Sequence, residues 1–278
     1  MNALEAMSED TGWGAYLDLG FRASPEKTVL AKRERYGPLA VQRPFYPEGK
    51  VCHVYLLHPP GGVAGGDQLQ INVDLASASH GLVTTPGATK FYRSAGSSAG
   101  QTQRLRVADG ASLEWLPQES IFFPGARVKM HTRVDLSGSG RLALWETHCL
   151  GRPAIQESFD EGSLDAGLEL WRDGKPLLIE RLRVNPDSRR RSSVLNGQPV
   201  TATAIFSHAE ASHLDAAREQ IDVDDQSIAA ATLIGDLLLV RYLGNSTEQA
   251  KDLFNEIWGT LRELLLHRPV SAPRIWNT

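Results

Sequence analysis

The sequence predicts a mainly β protein that acquires helices late in the chain. Strand-like segments recur about every ten residues, at 51–57, 68–75, 80–85, 102–108, 112–117, 129–136, 141–149 and 167–171. Most alternate apolar and polar positions as a half-buried strand does. Clusters of Pro, Gly, Ser and Asp lie between them and supply turn geometry. After residue 199 the apolar residues shift to helical spacing. The strand spacing suits an all-β sandwich, a barrel or a β-helix. No fixed-length sequence repeat favours a regular solenoid.

The totals narrow the class. The chain has 278 residues, 41% of them hydrophobic, and a mean hydropathy of −0.27. That is the composition of a globular protein with ample core. A net charge of −4 and a pI near 6.1 argue against binding a nucleic-acid backbone. Two cysteines, Cys52 and Cys149, are too few for a disulfide framework and suit a reducing compartment. No apolar run approaches the ~20 residues of a membrane span. The opening MNALEAMSEDTG lacks the basic and apolar regions of a secretory signal. A cytoplasmic location is expected.

Residues 1–12 read as a frayed, disordered polar leader. One domain is expected over 13–278, with a β body at 13–184, a mobile connection at 185–199 and a helix-containing part at 200–278. Trp13 to Phe21 alternates as a strand. TVLAKRERYGP (28–38) is a strand running into a turn, and LAVQRPF (39–45) is another. Arg33, Arg35 and Arg43 form a basic cluster, read as a solvated rim or an interface. In the strand 51–57, Cys52, Val54 and Leu56 share one face, and His53, Tyr55 and Leu57 the other. The polar stretch NPDSRRRSSVLNGQP (185–199) is a loop whose Arg189, Arg190 and Arg191 face water. Ala209 to Ile221 is helical in composition, and DLLLVRYL within 229–243 is a buried strand. Ser246, with Gln249 three residues on, opens a second helix. Ala250, Leu253, Phe254, Ile257, Trp258, Leu261, Leu264 and Leu265 form its apolar stripe. Pro269 closes it. In the tail, Arg274 and Trp276 read either as an exposed docking pair or as a segment tucked against its own domain.

Five stretches carry chemistry. HVYLLHPPGGVAGGD (53–67) ends a strand at Pro59 and Pro60, passes two glycine pairs and delivers Asp67 to the mouth of the next strand. A phosphate cradle needs a helix after the glycines, whereas QLQINVDL alternates as a strand. Asp67 therefore either ties down backbone amides or stands as a carboxylate in a polar passage, meeting a metal ion. TTPGATKFYRS (84–94) packs hydroxyls, a glycine turn and Lys90, Tyr92 and Arg93 together. In LEWLPQE (113–119), Glu114 and Glu119 flank Pro117. A pair of carboxylates on a β framework raises glycoside hydrolysis, which requires them roughly 5–10 Å apart. In WETHCLGRP (145–153), His148 and Cys149 are metal-ligand types. As strand neighbours they point to opposite faces, as do Cys52 and His53. No C-x-x-C or H-E-x-x-H is present, so a permanent zinc site is not expected. LLIERL (177–182) places Glu180 in an apolar strand, where it needs a partner or water. Acids are many and nucleophile–base pairs few. That favours a polar passage or binding surface over a catalytic site.

The motifs TVLAKRERYGPLAVQRPFYPEG, HVYLLHPPGGVAGGD, TTPGATKFYRS, LEWLPQESIFFPGA, CLGRP, LLIERL and the terminal PRIW resemble those of the urease accessory protein UreD (UreH) family. The similarity runs from about Trp13 to the end. PPGG-x-x-GGD followed by TPGA-x-KFYRS is long and specific. The resemblance implies a mainly β fold of two layers, wound like a β-helix, with two helices late in the chain. It implies a non-enzymatic maturation factor with no permanently bound cofactor and transient nickel(II). Its implied partners are UreF directly, the GTPase UreG through UreF, and the urease apoprotein. A dimer of the accessory complex is one arrangement it allows; neither nucleic acid nor membrane is a partner. Nickel is expected to cross an internal tunnel whose polar groups would include Asp67, Thr89, Glu146 and Glu180. Aspartate also appears at the Glu146 position in the family. The longer side chain keeps the charge and shifts it. Such a series of weak oxygen sites admits an ion without holding it. The alternative is a β-helical carbohydrate-active enzyme using Glu114 and Glu119.

Overall fold

The computed structural model describes residues 12–277. The expected leader at 1–12 lies, but for its last residue, outside the described residues. In chain order the strands begin with β1 (Gly14–Ala23), β2 (Thr28–Tyr36), β3 (Ala40–Val41), β4 (Cys52–Leu57), β5 (Gln68–Leu75) and β6 (His80–Thr84). They continue with β7 (Thr89–Phe91), β8 (Ala99–Val107), β9 (Ser112–Leu116), β10 (Ser120–Phe122), β11 (Arg127–Leu136) and β12 (Arg141–Arg152). β13 (Glu157–Ser158), β14 (Ser163–Arg172) and β15 (Lys175–Val184) precede a short helix α1 (Pro186–Arg189). β16 (Val200–Ser207), α2 (Ala211–Glu219), β17 (Ile228–Ile234), β18 (Leu237–Gly244) and α3 (Thr247–Leu266) complete the order.

From β4 to β14 the chain shuttles between two sheets, laying parallel strands on each. A seven-stranded sheet runs β15-β14-β11-β8-β5-β1-β2. An eleven-stranded sheet runs β17-β18-β16-β12-β9-β6-β4-β3, with β7, β10 and β13 joined to its side. Stacked parallel strands wound in coils are a β-solenoid arrangement, with the helices gathered near the C-terminus. In one column of the smaller sheet Gln68, Gly100, Lys129 and Asp165 lie side by side. Their intervals in sequence are unequal, because the coils carry different insertions: β7 in the first, β10 in the second, and β13 with the long β12 in the third. A structural repeat of varying length leaves no fixed sequence period, which accounts for its absence from the sequence.

Two cores result. One fills the space between the sheets and includes Cys52, Val54, Leu56, Leu113, Trp115, Leu142 and Leu144. The other joins the outer face of the larger sheet to α2, α3 and the tail, through Trp145, Phe254, Ile257, Trp258 and Leu261. On the central strands of the larger sheet the period of two sends alternate residues to the two cores, and on the smaller sheet it sends them to the inter-sheet core and to the outer face. The helices thus form a third layer on the two sheets. Among the described residues no helix is long and apolar enough to cross a membrane.

Two expectations are corrected and one is extended. Residues 185–199 are not a bare polar connection. Asn185 caps α1, Leu195 is buried in the inter-sheet core, and Arg189 is buried beside Asp160 at 2.8 Å instead of facing water. The expected buried strand DLLLVRYL is β18, and β17 precedes it in a hairpin that turns at Gly235 with φ +60°. Leu264 is exposed, and Arg262 takes the buried place instead.

Candidate functional site

The third rib places polar side chains in register. Thr89 on β7 pairs with Ser120 on β10, and Ser120 pairs with His148 on β12. This polar column lines a cavity of about 450 Å³ between the sheets. Gln101 and Gln103 line it from the opposite sheet, and Glu146 lines it one alternation along β12 from His148. The loop 58–67 closes one side through His58, Gly61 and Gly62. Its glycines are there for space as much as for dihedral freedom. A Cβ on Gly62 would meet the Tyr92 ring, and one on Gly65 would meet Ser94. Gly61 and Gly66 have φ of +80° and +95°, angles that side chains with a Cβ avoid. The PPGG-x-x-GGD and KFYRS motifs are thus two halves of one packing arrangement, stitched by Val63 N–H donating to the Lys90 carbonyl at 2.7 Å.

A second cavity of about 410 Å³ shares Glu146 and His148 with the first. Two cross-strand columns frame it. Glu146, Thr203 and Arg241 are in register across β12, β16 and β18. Facing them, Thr132, Leu168 and Glu180 are in register across β11, β14 and β15. The columns are tied at both ends. The Thr132 hydroxyl donates to Glu146 at 2.5 Å, and Arg241 Nη2 donates to Glu180. Thr89 and Glu180 therefore line different cavities, and Glu146 and His148 form the wall between them.

The wall is dry enough to shift both its groups. Burial pushes the Glu146 carboxyl up; the Thr132 hydrogen bond opposes this and the nearby Glu180 charge adds to it, leaving it at about 7. Burial alone brings His148 down to about 4, so its imidazole is neutral. His148 Nε2 lies 3.9 Å from Glu146 Oε2, and its Nδ1 is buried with no hydrogen-bond partner. The ring packs edge-on against Phe122 at 5.7 Å between centroids. Cys149 points the other way, into the helix-side core, as adjacent strand residues must. Burial pushes its thiol up to about 12. Among the described residues no three of His, Cys, Asp and Glu gather into a metal-holding group. A carboxylate and a neutral imidazole make a two-donor point that binds a divalent ion weakly.

The other candidates fall elsewhere. Asp67 accepts from the Trp13 and Ala64 backbone amides, each at 2.8 Å, and lines neither cavity. Glu114 points to the helix side and is sealed from solvent. It bonds His80, Trp258 and Arg262. No open groove brings it to a sugar, and the carbohydrate-active reading fails on that burial. Glu119 offers its carbonyl to the Thr89 amide at 2.9 Å. Trp276 is not an exposed docking residue. It packs against Trp145 and Trp258, and its Nε1 donates to the Thr84 hydroxyl at 2.8 Å. The tail is tucked against its own domain, leaving Arg274 exposed. His53 bonds Glu48 at 2.6 Å, and Cys52 lies in the inter-sheet core.

Sequence reasoning missed Ser120, Gln101, Gln103, Thr132, Thr203 and Arg241 as residues that line or frame the two cavities. One signal was available. In GQTQRLRV and VKMHTRVDL, Gln101, Gln103 and Thr132 stand at inward positions of otherwise apolar strand faces.

Comparison with known proteins adds the family. The model of the UreD urease accessory protein matches residues 14–277. A urease accessory protein UreD of Alcanivorax borkumensis is 48% identical over 280 aligned residues, covering 99% of this chain and 95% of the relative. One of Pseudomonas putida strain W619 is 45% identical over 275 residues, covering 99% and 98%. One of Citrobacter koseri is 46% identical over 280, covering 100% and 97%. Because the match runs through every coil, the short ribs and the helical layer, the chain belongs to the UreD urease accessory protein family.

Proposed function

We propose that the chain serves urease maturation as a non-catalytic scaffold that conveys nickel(II) to the assembling active site. The supporting observation is the pair of cavities that meet at Glu146 and His148, with Thr89 on one side and Glu180 on the other. Nickel accepts oxygen and imidazole donors. Separated weak donors let an ion enter and leave, where a closed cage would retain it. Asp67 contributes by holding the Gly-rich loop that walls the first cavity, through its bonds to the Trp13 and Ala64 amides. In this reading the chain works in the cytoplasm. It binds UreF directly, UreG through UreF, and the urease apoprotein, and nickel is cargo, not a resident cofactor.

The test is urease activation in cells carrying Glu146→Gln, Glu180→Gln or Asp67→Asn, with co-purification of UreF and urease scored alongside. The expected result is intact complexes with urease nickel content and activity reduced several-fold by the glutamate variants. Full activation with both glutamates replaced would overturn the passage and leave a purely structural adaptor.

A further inference from the structure

We propose that His148 makes the wall between the cavities selective, pairing with Glu146 as a transient nitrogen–oxygen point that takes borderline divalent ions and rejects magnesium. The inference rests on the passage reading and names its discriminating residue.

Carboxylates, hydroxyls and amides line the passage, with His58 on the loop beside the first cavity and His148 on the wall, and oxygen donors alone accept magnesium readily. Imidazole suits nickel, zinc and copper and does not suit magnesium. His58 lines the first cavity alone, whereas His148 is the imidazole that lines both and stands beside a carboxylate on the wall. It is 7% exposed and lines both cavities. Phe122 fixes the ring edge-on. Metal–donor bonds of about 2.1 Å set donor–donor separations of roughly 3 Å for neighbouring ligands and roughly 4.2 Å for opposite ones. Nε2 and Glu146 Oε2, 3.9 Å apart, lie between those two separations, so the pair closes by about 1 Å to hold one ion as neighbouring ligands. Glu146 is held from its other oxygen by Thr132, which also contacts Gln103 at 3.1 Å. A retained metal needs its histidine braced by a hydrogen bond from the second ring nitrogen. His148 Nδ1 has no such partner, which suits a point of passage.

The experiment uses the full chain. Nickel(II) binding is measured by calorimetry with and without excess magnesium. Nickel X-ray absorption counts imidazole ligands in the wild type, His148→Asn and His148→Asp. The wild type is expected to bind nickel in the presence of magnesium, with imidazole scattering in its spectrum. His148→Asn should lose one imidazole and bind nickel at least tenfold more weakly. His148→Asp, with two carboxylates on the wall, should lose discrimination and bind magnesium in competition. A wild-type spectrum without imidazole overturns the inference whatever the variants do. So does an unchanged spectrum and affinity in His148→Asn. If those results appear while Glu146→Gln still blocks urease activation, His148 is not the discriminator and the passage stands. If Glu146→Gln is also without effect, the passage reading falls with it.

Discussion

Arg262 Nη2 lies 2.9 Å from Glu114 Oε1, and neither side chain reaches solvent. The pair is the centre of a buried network. Arg262 also reaches Glu48 at 2.7 Å, Glu114 accepts from Trp258 Nε1 at 2.7 Å, and His53 and His80 bond the two acids. The network clamps α3 to the outer face of the larger sheet. Removing one partner of a buried pair leaves a charge uncompensated, at a cost of about 3–5 kcal/mol. Arg262→Met should destabilise by that amount in urea unfolding. The double change Arg262→Met with Glu114→Leu should recover part of it. A single variant as stable as the wild type would refute the clamp.

Glu114 should also set an acid limit. Burial pushes its carboxyl up, but hydrogen bonds and charges from His80 and then Arg262 outweigh this and bring it down to about 2. The folded state therefore gives up this proton more readily than the unfolded chain. Its stabilisation is present above the ordinary 4.5 and is lost as pH falls towards 2. Melting temperatures between pH 5 and 3 should fall more steeply in the wild type than in Glu114→Gln.

Glu146 has the opposite sign. Its carboxyl is held at about 7, so the folded state keeps a proton that the unfolded chain releases above 4.5. Stability is lost as pH rises through that window and levels off above 7. Glu146→Gln should be more stable than the wild type at pH 8, by up to about 3 kcal/mol, and similar to it at pH 4. Equal melting curves at both pH values would contradict a desolvated carboxyl.

Trp276 anchors the tail between Trp145 and Trp258. Trp276→Ala removes a buried ring and the donor to the Thr84 hydroxyl, which keeps its own bond to the Leu116 carbonyl. A loss of about 3–5 kcal/mol is expected in denaturant unfolding. An unaffected midpoint would mean the tail is dispensable to the helical layer.

The folded segment after β15 depends on Arg189, Asp160 and Leu195. Arg189→Ala should speed proteolysis within residues 190–198 while leaving the β body resistant, read by timed digestion and mass spectrometry. Cleavage at the wild-type rate would place the anchoring in Leu195 alone.

Much of the architecture was legible because strand signals are local. The segment 68–75 is a strand to the residue, and the faces of Cys52, Val54 and Leu56 came from alternation alone. Residues 185–199 misled because polarity reports average exposure. One arginine with a partner and one leucine with a pocket are enough to fold such a segment. Trp276 misled for a related reason, since its pocket is built by Trp145 and Trp258, which only folding brings together.

The sequence by itself determined the β body, the late helices, the family motifs and the shared face of Glu146 and His148, which stand two residues apart on one strand. Each of these rests on a short period or a contiguous motif. Only the tertiary structure decided that Thr89, Ser120 and His148 form one column, and that Glu180 closes the second cavity against Arg241. It also decided that Asp67 serves backbone amides while Glu114 meets an arginine 148 positions away. Those outcomes depend on how unequal coils stack and register, and backbone alternation says which face a side chain takes but not which residue waits there.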